Sequence, residues 1–208
     1  MGRTILLTKD ETLLLEGLKK QDPSAQRLFF QKNEKKMLAI CFRYLKNEED
    51  ALDALHRSFL KVFDKINQFK ADAKLETWVS RVTINTCINC INASKKYKDT
   101  FIRTDEFDYY GEPDTEDDSI LEWWDTAMSI PSDKFFALIE DLPPATRLVF
   151  NLYAIDDYKH GQIARKLSIS IGTSKWHLSN ARSILKEEIK NIIKSKSFDH
   201  ERKQSKKY

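Results

Sequence analysis

The 208-residue sequence predicts an all-helical protein with two small domains. Glycine and proline are scarce, at 5 residues each, so few positions are marked as turns. No sustained alternation of apolar and polar residues indicates a strand, and apolar residues recur at helical spacing instead. Charge also divides the chain into basic, acidic and basic blocks. Together these features predict two helical domains joined by a flexible acidic linker.

The charge blocks indicate what kind of partner the domains bind. Residues 1–96 carry a net +6 (18 Lys/Arg, 12 Asp/Glu), residues 97–133 carry −10 (2 against 12) and residues 134–208 carry +7 (15 against 8). Two basic domains favour polyanions such as nucleic acid. The alternative is that the lysine-rich surfaces are merely solvated and the acidic segment is an ordinary linker.

Several features predict a cytoplasmic protein. No apolar run approaches the roughly 18 residues that indicate a membrane-spanning helix, so we expect no membrane insertion. The N-terminal apolar stretch is broken by Lys9, Asp10 and Glu11, which makes it a poor signal peptide. The three cysteines cannot all pair within the chain, which suits a reducing compartment.

Each basic block is predicted to form four helices. In the first domain, residues 1–96, Asp22 can cap a helix that has Pro23 at its first position, and the predicted helices cover residues 10–20, 23–46, 48–68 and 74–96. In the second domain, residues 134–193, the predicted helices cover residues 132–140, 144–155, 159–167 and 171–193. Residues 97–133 lack a periodic core and are predicted as the linker. Residues 194–208 are predicted as a basic tail that frays.

Residues 158–185, YKHGQIARKLSISIGTSKWHLSNARSIL, have the layout of a helix-turn-helix. A short helix is followed by the turn SISI, and a second helix begins near Gly172–Thr173. The apolar residues that can close the core between the two helices are Ile163, Ala164, Leu167, Ile169, Leu178, Ala181 and Leu185. In such units the second helix enters the major groove of DNA with its N-terminal half.

The side of that second helix opposite its apolar stripe carries candidate DNA contacts. Lys175 and Arg182 can reach phosphates or guanine edges, and Asn180 can read adenine. Trp176 and Ser179 lie on the same outer side. The alternatives are simple solvent exposure for Asn180 and the serines, burial against another helix for Trp176, and an ordinary surface position for His177.

The first domain carries features that suit a single nucleic-acid strand. Along the helix at 48–68, Leu55, Phe59, Val62 and Ile66 form an apolar face, while Arg57, Lys61 and Lys65 recur every four residues and Phe69 follows. Cations can track phosphates and an aromatic ring can stack on a base. The alternative is a solvated basic face with Phe69 in the core.

The next helix repeats polar residues at the same spacing. Arg81, Asn85 and Asn89 fall on one side of it, which gives one cation and two amides. Amides can hydrogen-bond base edges once a base is unstacked.

The CINC sequence at Cys87–Cys90 is the one pattern that suggests redox or metal chemistry. No second CxxC motif or nearby histidine completes a tetrahedral metal site, and no βαβ pattern surrounds it. We therefore interpret the cysteines as packing residues. The sequence assembles no catalytic constellation, so we expect no enzyme, no metal and no cofactor.

The two domains together resemble one family. The segments FRYLKNEEDALDALHRSFLKVFDKINQF (42–69), LETWVSRVTIN (75–85) and LPPATRLVFNLYAIDDYKHGQIARKLSISIGTSKWHLSNAR (142–182) resemble bacterial RNA polymerase sigma factors of the extracytoplasmic-function (ECF) group. The resemblance covers about residues 10–96 and 134–192. Each motif alone is moderately specific, and their order and separation make the resemblance strong.

This resemblance implies a non-catalytic subunit that binds core RNA polymerase and promoter DNA, both as duplex and as the non-template single strand. It implies −10 contacts through Lys61, Lys65, Phe69, Arg81 and Asn85, with Asn85 at the position of the family's amide near a flipped base. It implies −35 contacts through Lys175, Trp176, Ser179, Asn180 and Arg182. The linker would follow the RNA path of the polymerase, and many relatives are held inactive by an anti-sigma partner.

The sequence departs from the family at two places. The clamp-binding helix has His56-Arg57 where the family usually has a Gln-Glu pair, so the implied polymerase contact comprises Glu49, Asp50, Asp53, His56 and Arg57. Trp176 stands where a small residue is common, so the promoter preference of relatives does not transfer. Two other hypotheses stay open: a stand-alone helix-turn-helix regulator, and an enzyme that uses Cys87 and Cys90.

Overall fold

The structure is a computed structural model that describes residues 8–93 and 130–205, with side chains through residue 194. Every regular element in these ranges is helical, which confirms the predicted fold class. The α-helices are α1 (Lys9–Lys19), α2 (Pro23–Leu45), α3 (Glu48–Lys65), α4 (Leu75–Ala93), α5 (Ser132–Asp141), α6 (Pro144–Phe150), α7 (His160–Leu167) and α8 (Ile171–Ser205). A 3-10 turn spans Ile66–Gln68 and a π-helical turn spans Asn151–Ile155.

The chain divides into two compact units, Met1–Ser94 and Lys95–Tyr208. In the first unit, α2, α3 and α4 pack against one another and α1 packs on α2. The core of this unit is almost entirely apolar, and its buried side chains include Leu18, Phe29, Met37, Cys41, Tyr44, Leu55, Phe59, Val62, Ile66, Ile84, Cys87 and Ile91. Burial of this apolar surface fixes which faces of α3 and α4 remain outside.

The helices of the first unit begin where local hydrogen bonds favour a start. The side chain of Asp22 accepts a hydrogen bond from the Ser24 amide at 2.9 Å, with Pro23 at the first helical position, as predicted. Asn47 caps α3 by accepting from the Asp50 amide at 3.0 Å. Lys46, with a left-handed φ of 55°, ends α2 just before that cap.

In the second unit, α8 packs against α5, α6 and α7. The buried core residues include Ile139, Leu142, Leu148, Val149, Leu152, Ile163, Leu167, Leu178, Ala181 and Leu185. The helix predicted over 144–155 is α6 followed by the π-helical turn. The helix predicted to end at residue 193 instead continues to Ser205, through a segment with no glycine or proline to stop it.

The predicted flexible linker lies almost wholly outside the described residues, since the second described range begins at residue 130. Ile130, the first residue of that range, is buried. Across the two described ranges, no helix combines the length and the apolar character needed to cross a membrane.

Candidate nucleic-acid interfaces

The outer face of α4 presents a row of polar side chains. Arg81 and Asn89 are exposed, and Asn85 is half-buried between them. The opposite side of the same helix, with Val79, Thr83 and Cys87, is buried in the three-helix core. Residues four apart lie above one another on a helix, so the cation and the two amides share one surface.

Lys61 links the basic stripe of α3 to this face. Its Nζ donates a hydrogen bond to Thr86 Oγ1 at 3.2 Å, and Thr86 adjoins Asn85 on α4. Lys61 is half-buried, whereas Lys65, one turn later, is exposed. The structure therefore ties a cation of α3 to α4 at Thr86, the residue that follows Asn85 in the sequence.

The prediction that Phe69 stacks on a base disagrees with the structure. Phe69 is only 5% exposed and packs on Trp78, with ring centroids 5.7 Å apart. It directly follows the 3-10 turn after α3, and that turn directs its ring inward. The alternative interpretation, a core aromatic, is the one that fits, because a buried ring offers no face to a base.

The outer side of α3 carries the residues predicted to contact the polymerase. Glu49, Asp50, Asp53, His56 and Arg57 are all exposed. Arg57 Nε lies 2.8 Å from Asp53 Oδ2, one turn earlier on the same helix. Because both partners are about half exposed, this pair contributes little stability.

Two leucines on this side of α3 were missed by the sequence reasoning. Leu52 is 38% exposed and Leu60 is 68% exposed, and both lie four residues from His56. Leu52, His56 and Leu60 form an exposed row on α3, which is separate from the core-facing stripe of Leu55, Phe59 and Val62. Their displacement from that stripe is the sequence signal that identifies them as surface residues.

The turn of the helix-turn-helix is fixed by its own side chains. Helix α7 ends at Ser168, which adopts a left-handed φ of 56°. Ser170 Oγ then accepts a hydrogen bond from the Thr173 amide at 2.9 Å, which caps the start of α8. The predicted start near Gly172–Thr173 lies within two residues of the observed one.

The predicted −35 residues differ in exposure on α8. Lys175 is exposed, and Trp176, Ser179, Asn180 and Arg182 are half-buried. Residues Leu178, Ala181 and Leu185 are buried on the other side, as predicted. The face is thus present, although much of it is only partly open to solvent.

A buried polar cluster lies beneath this face. His177, which was expected at the surface, is 2% exposed, and its Nδ1 lies 3.0 Å from Thr146 Oγ1 on α6. Asn180 Nδ2 donates to the same Thr146 oxygen at 3.5 Å, so this amide leans towards α6. The indole of Trp176 meets the His177 ring edge-on, with centroids 4.9 Å apart. Packing of α6 against α8 turns His177 inward and separates it from the outer face.

The cysteines lie in the environment of packing residues. Cys41 and Cys87 are hydrogen-bonded to each other in the core of the first unit. That bond, followed by burial, raises the pKa of the Cys87 thiol far above its usual range, and burial raises the pKa of Cys90. Raised values keep both groups as thiols, which are weak nucleophiles. Among the described residues, no group of three or more metal-binding side chains is brought together.

Two family models match the chain, and each falls on one of the candidate faces. The model described as Sigma-70 region 2 matches residues 29–97, and the model described as Sigma-70, region 4 matches residues 132–185. Together they take in more than half of the sequence. The chain belongs to the sigma-70 family.

Full-length relatives agree with this assignment. The chain is 23% identical over 192 residues to the ECF RNA polymerase sigma-E factor of Salmonella typhimurium (strain 14028s), covering 88% of this chain and 96% of that protein. It is 20% identical over 195 residues to the RNA polymerase sigma-H factor of Pseudomonas aeruginosa, covering 91% and 99%. These matches confirm the resemblance to ECF sigma factors.

A solved complex of the sigma factor RpoE with the anti-sigma factor NepR from Bartonella quintana aligns with 79% of this chain and 96% of that one, at 16% identity and a TM-score of 0.42. In the present chain, region 2 contains α3 and α4 with Lys61, Lys65, Arg81 and Asn85. Region 4 contains the whole predicted −35 face, from Lys175 to Arg182.

Proposed function

We propose that this sigma factor acts in the cytoplasm, where it binds core RNA polymerase and directs initiation at promoters through −10 and −35 contacts. One observation carries the proposal: each matched family region contains a helix with one side buried in its domain core and a polar, basic side left outside. Region 2 is assigned the −10 strand and region 4 the −35 duplex. By likeness to ECF relatives, an anti-sigma factor is a further proposed partner.

The −10 assignment rests on α4 and the adjoining lysines of α3. The amide of Asn85 offers both a donor and an acceptor to the edge of an unstacked base. Arg81 and Lys65 are exposed and can contact phosphates on either side of it. Phe69 is omitted because its ring is buried.

The polymerase contact is assigned to the outer side of α3. Glu49, Asp50 and Asp53 supply negative charge at the start of the helix, and Asp53 is partly neutralised by Arg57. Leu52 and Leu60 supply apolar area on either side of His56. An apolar centre with a charged rim is the usual composition of a protein interface.

The −35 assignment rests on the start of α8. Lys175 is its most accessible cation, and Trp176 offers a partly exposed indole beside it. Asn180 leans towards Thr146 at 3.5 Å, so a contact with adenine requires its side chain to turn outward. The side chains of Ser179 and Arg182 complete the surface.

The deciding experiment adds the purified protein to core polymerase with a library of promoters. We expect initiation at a subset of templates, and we expect it to fall when either the −10 or the −35 segment of a selected promoter is scrambled. A stand-alone regulator would instead bind duplex DNA without core polymerase and support no initiation. Absence of both core binding and initiation on every template would refute the proposal.

A further inference from the structure

The junction of α7 and α8 holds a histidine outside the residues assigned above. His160 is the first residue of α7, and its Nδ1 lies 2.9 Å from Ser174 Oγ on α8. Its ring stacks on Tyr153 of the π-helical turn, with centroids 4.5 Å apart and planes 25° apart. Ser174 is fully buried, so the imidazole is held in one orientation at the edge of the two helices.

Two cations of the proposed −35 face, Lys175 and Arg182, act on this ring by their charge. Lys175 follows Ser174 directly, and Arg182 lies seven residues further on, on the same side of α8. Burial is the largest cause that lowers the pKa of His160, and the positive charges of Lys175 and then Arg182 lower it further. The two charged side chains that lower the pKa of His160 are therefore both cations.

These positively charged and hydrogen-bonding groups can bind an anion. The half-buried imidazole at the start of α7 lies against α8, where Lys175 directly follows its partner Ser174 and Arg182 lies two turns further along the same side. Nδ1 bonds Ser174, and in the protonated ring both nitrogens carry hydrogen, so that Nδ1 donates to Ser174 while Nε2–H donates to an anion. A phosphodiester carries one negative charge at all physiological pH values and offers several acceptor oxygens, which matches this set of donors.

Building on the −35 role proposed for region 4, we propose that His160, Lys175 and Arg182 together bind one backbone phosphate beside the recognition helix, and that His160 takes up a proton when the DNA binds. The proton comes from solvent, adds to the ring nitrogen that carries none in the neutral imidazole, and returns to solvent on dissociation. His160 thus contacts DNA as a cation while being neutral in the free protein.

The sign of the linkage follows from the groups that face the ring. From α8 these are Lys175 and Arg182, and from the π-helical turn it is Tyr153. Near neutral pH, burial and the charges of the two cations keep the imidazole of the unbound protein neutral, because they lower its pKa. A phosphate placed among them offsets their charge and stabilises the imidazolium, so the bound state holds more protons than the free state. Affinity for the −35 duplex should therefore rise as pH falls.

The test compares holoenzymes made with the full-length wild-type chain, His160→Asn and His160→Lys on a promoter selected in the initiation experiment. Binding is measured by competition between about pH 6 and pH 8, at several salt concentrations. Asn retains a hydrogen-bonding group towards Ser174 but cannot ionise, and Lys carries a permanent charge. The matched control is His200→Asn, which removes the histidine of the basic tail.

We expect the ratio of wild-type to His160→Asn affinity to increase about three- to tenfold from pH 8 to pH 6. The salt dependence of wild type should also steepen by about one phosphate contact at the lower pH. His160→Lys should bind with little pH dependence and more tightly than His160→Asn at pH 8. His200→Asn should follow wild type.

A constant wild-type to His160→Asn ratio across this pH range overturns the proposal. So does a His160→Lys variant that binds no better than His160→Asn, because a purely structural role for the imidazole predicts loss in both. These outcomes are distinct from failure of the sigma-factor function, which would appear earlier as the absence of any selected promoter.

Discussion

Regions 2 and 4 satisfy their buried polar groups in different ways. In region 2 the hydroxyls of Ser58, Thr83 and Thr86 donate to carbonyl oxygens four residues earlier in their own helices, at 2.6, 3.1 and 2.9 Å. Their contacts with other helices are secondary: Thr83 Oγ1 lies 3.4 Å from the weak acceptor Met37 Sδ on α2, and Thr86 Oγ1 accepts from Lys61 on α3 at 3.2 Å. In region 4 the corresponding bonds join different helices: Thr146 on α6 meets His177 on α8, and His160 on α7 meets Ser174 on α8.

This difference bears on how each DNA-facing helix is oriented. A hydroxyl bonded to a carbonyl of its own helix constrains the rotation of that helix little, and a thioether or a flexible lysine adds only a weak tie, so the position of α4 is set mainly by apolar packing. A bond between helices fixes their mutual rotation. The orientation of α8 therefore depends on polar pairs that lie directly beneath its recognition face. Region 4 should respond to polar substitutions and to pH more than region 2 does.

The largest expected effect comes from Thr146→Val, which removes the oxygen shared by His177 and Asn180. We expect a loss of about 1–3 kcal/mol in the stability of region 4, because a buried polar nitrogen loses its bond. Binding to −35 duplex should fall as α8 loses its fixed rotation. Chemical denaturation and amide hydrogen exchange of residues 130–194 measure the loss of stability, and holoenzyme binding measures the loss of affinity for the −35 duplex.

The matched control is Thr83→Val in region 2, where the hydroxyl bonds the Val79 carbonyl of its own helix at 3.1 Å and reaches only a weak acceptor, Met37 Sδ, on another helix at 3.4 Å. Its cost should stay below about 1 kcal/mol, because the carbonyl keeps its bond within the helix. If Thr83→Val destabilises the protein as much as Thr146→Val, the contrast between the two regions is wrong.

A smaller effect is expected from Asn85→Ala, which removes the amide proposed to hold an unstacked base. Loss of one such hydrogen bond costs about 1 kcal/mol, or roughly a fivefold decrease in strand opening. Initial duplex binding should change less. Permanganate footprinting of the −10 strand on intact and pre-melted promoters separates the two steps. Asn89→Ala, on the same face, is the control, and an equal loss on both promoter forms contradicts the assigned role.

Helix positions were predictable from the sequence because apolar spacing and capping residues act locally. Asp22 with Pro23, the Leu55 stripe and the SISI turn each placed an element within a few residues of its observed bounds. The inward placement of Phe69 and His177 could not be obtained this way. Each depends on a distant neighbour, Trp78 for Phe69 and Thr146 for His177, and helical periodicity carries no information about contacts between elements.

The same limit applies to the candidate sites. Arg81 and Lys175 were predicted on exposed faces and are exposed. The cluster of His160 with Ser174 and Lys175 was missed, because it forms only when α7 and α8 cross. Leu52 and Leu60 were not predicted as contact residues, because the apolar stripe of α3 identifies only its buried face and both leucines lie off that stripe.

Lys175→Ala should weaken −35 binding modestly, because exposed phosphate contacts are individually weak at physiological salt. The slope of log affinity against log salt should decrease in magnitude by about 0.9, the contribution of one phosphate. Lys134→Ala, an exposed lysine on α5, should leave the slope unchanged. An unaltered slope for Lys175→Ala removes this residue from the phosphate contacts and weakens the proposed cluster with His160.

The smallest expected effect is a pH dependence of stability that separates the two regions in the absence of DNA. Burial and the neighbouring cations lower the pKa of His160 from 6.5, so the folded state binds fewer protons than the unfolded state as pH falls through that value. Region 4 should lose stability below about pH 6.5, within the range where its affinity for DNA is expected to rise. The unit that contains region 2 should resist until a lower pH, since Glu11 of this unit, whose pKa is lowered from 4.5 by hydrogen bonds with Thr8, stabilises α1 only while ionised. Amide exchange measured separately for residues 8–93 and 130–194 between about pH 7 and pH 4 should therefore accelerate first in region 4, and His160→Asn should abolish that early change. If both regions accelerate together, or if the variant accelerates as wild type does, His160 does not account for the difference between them.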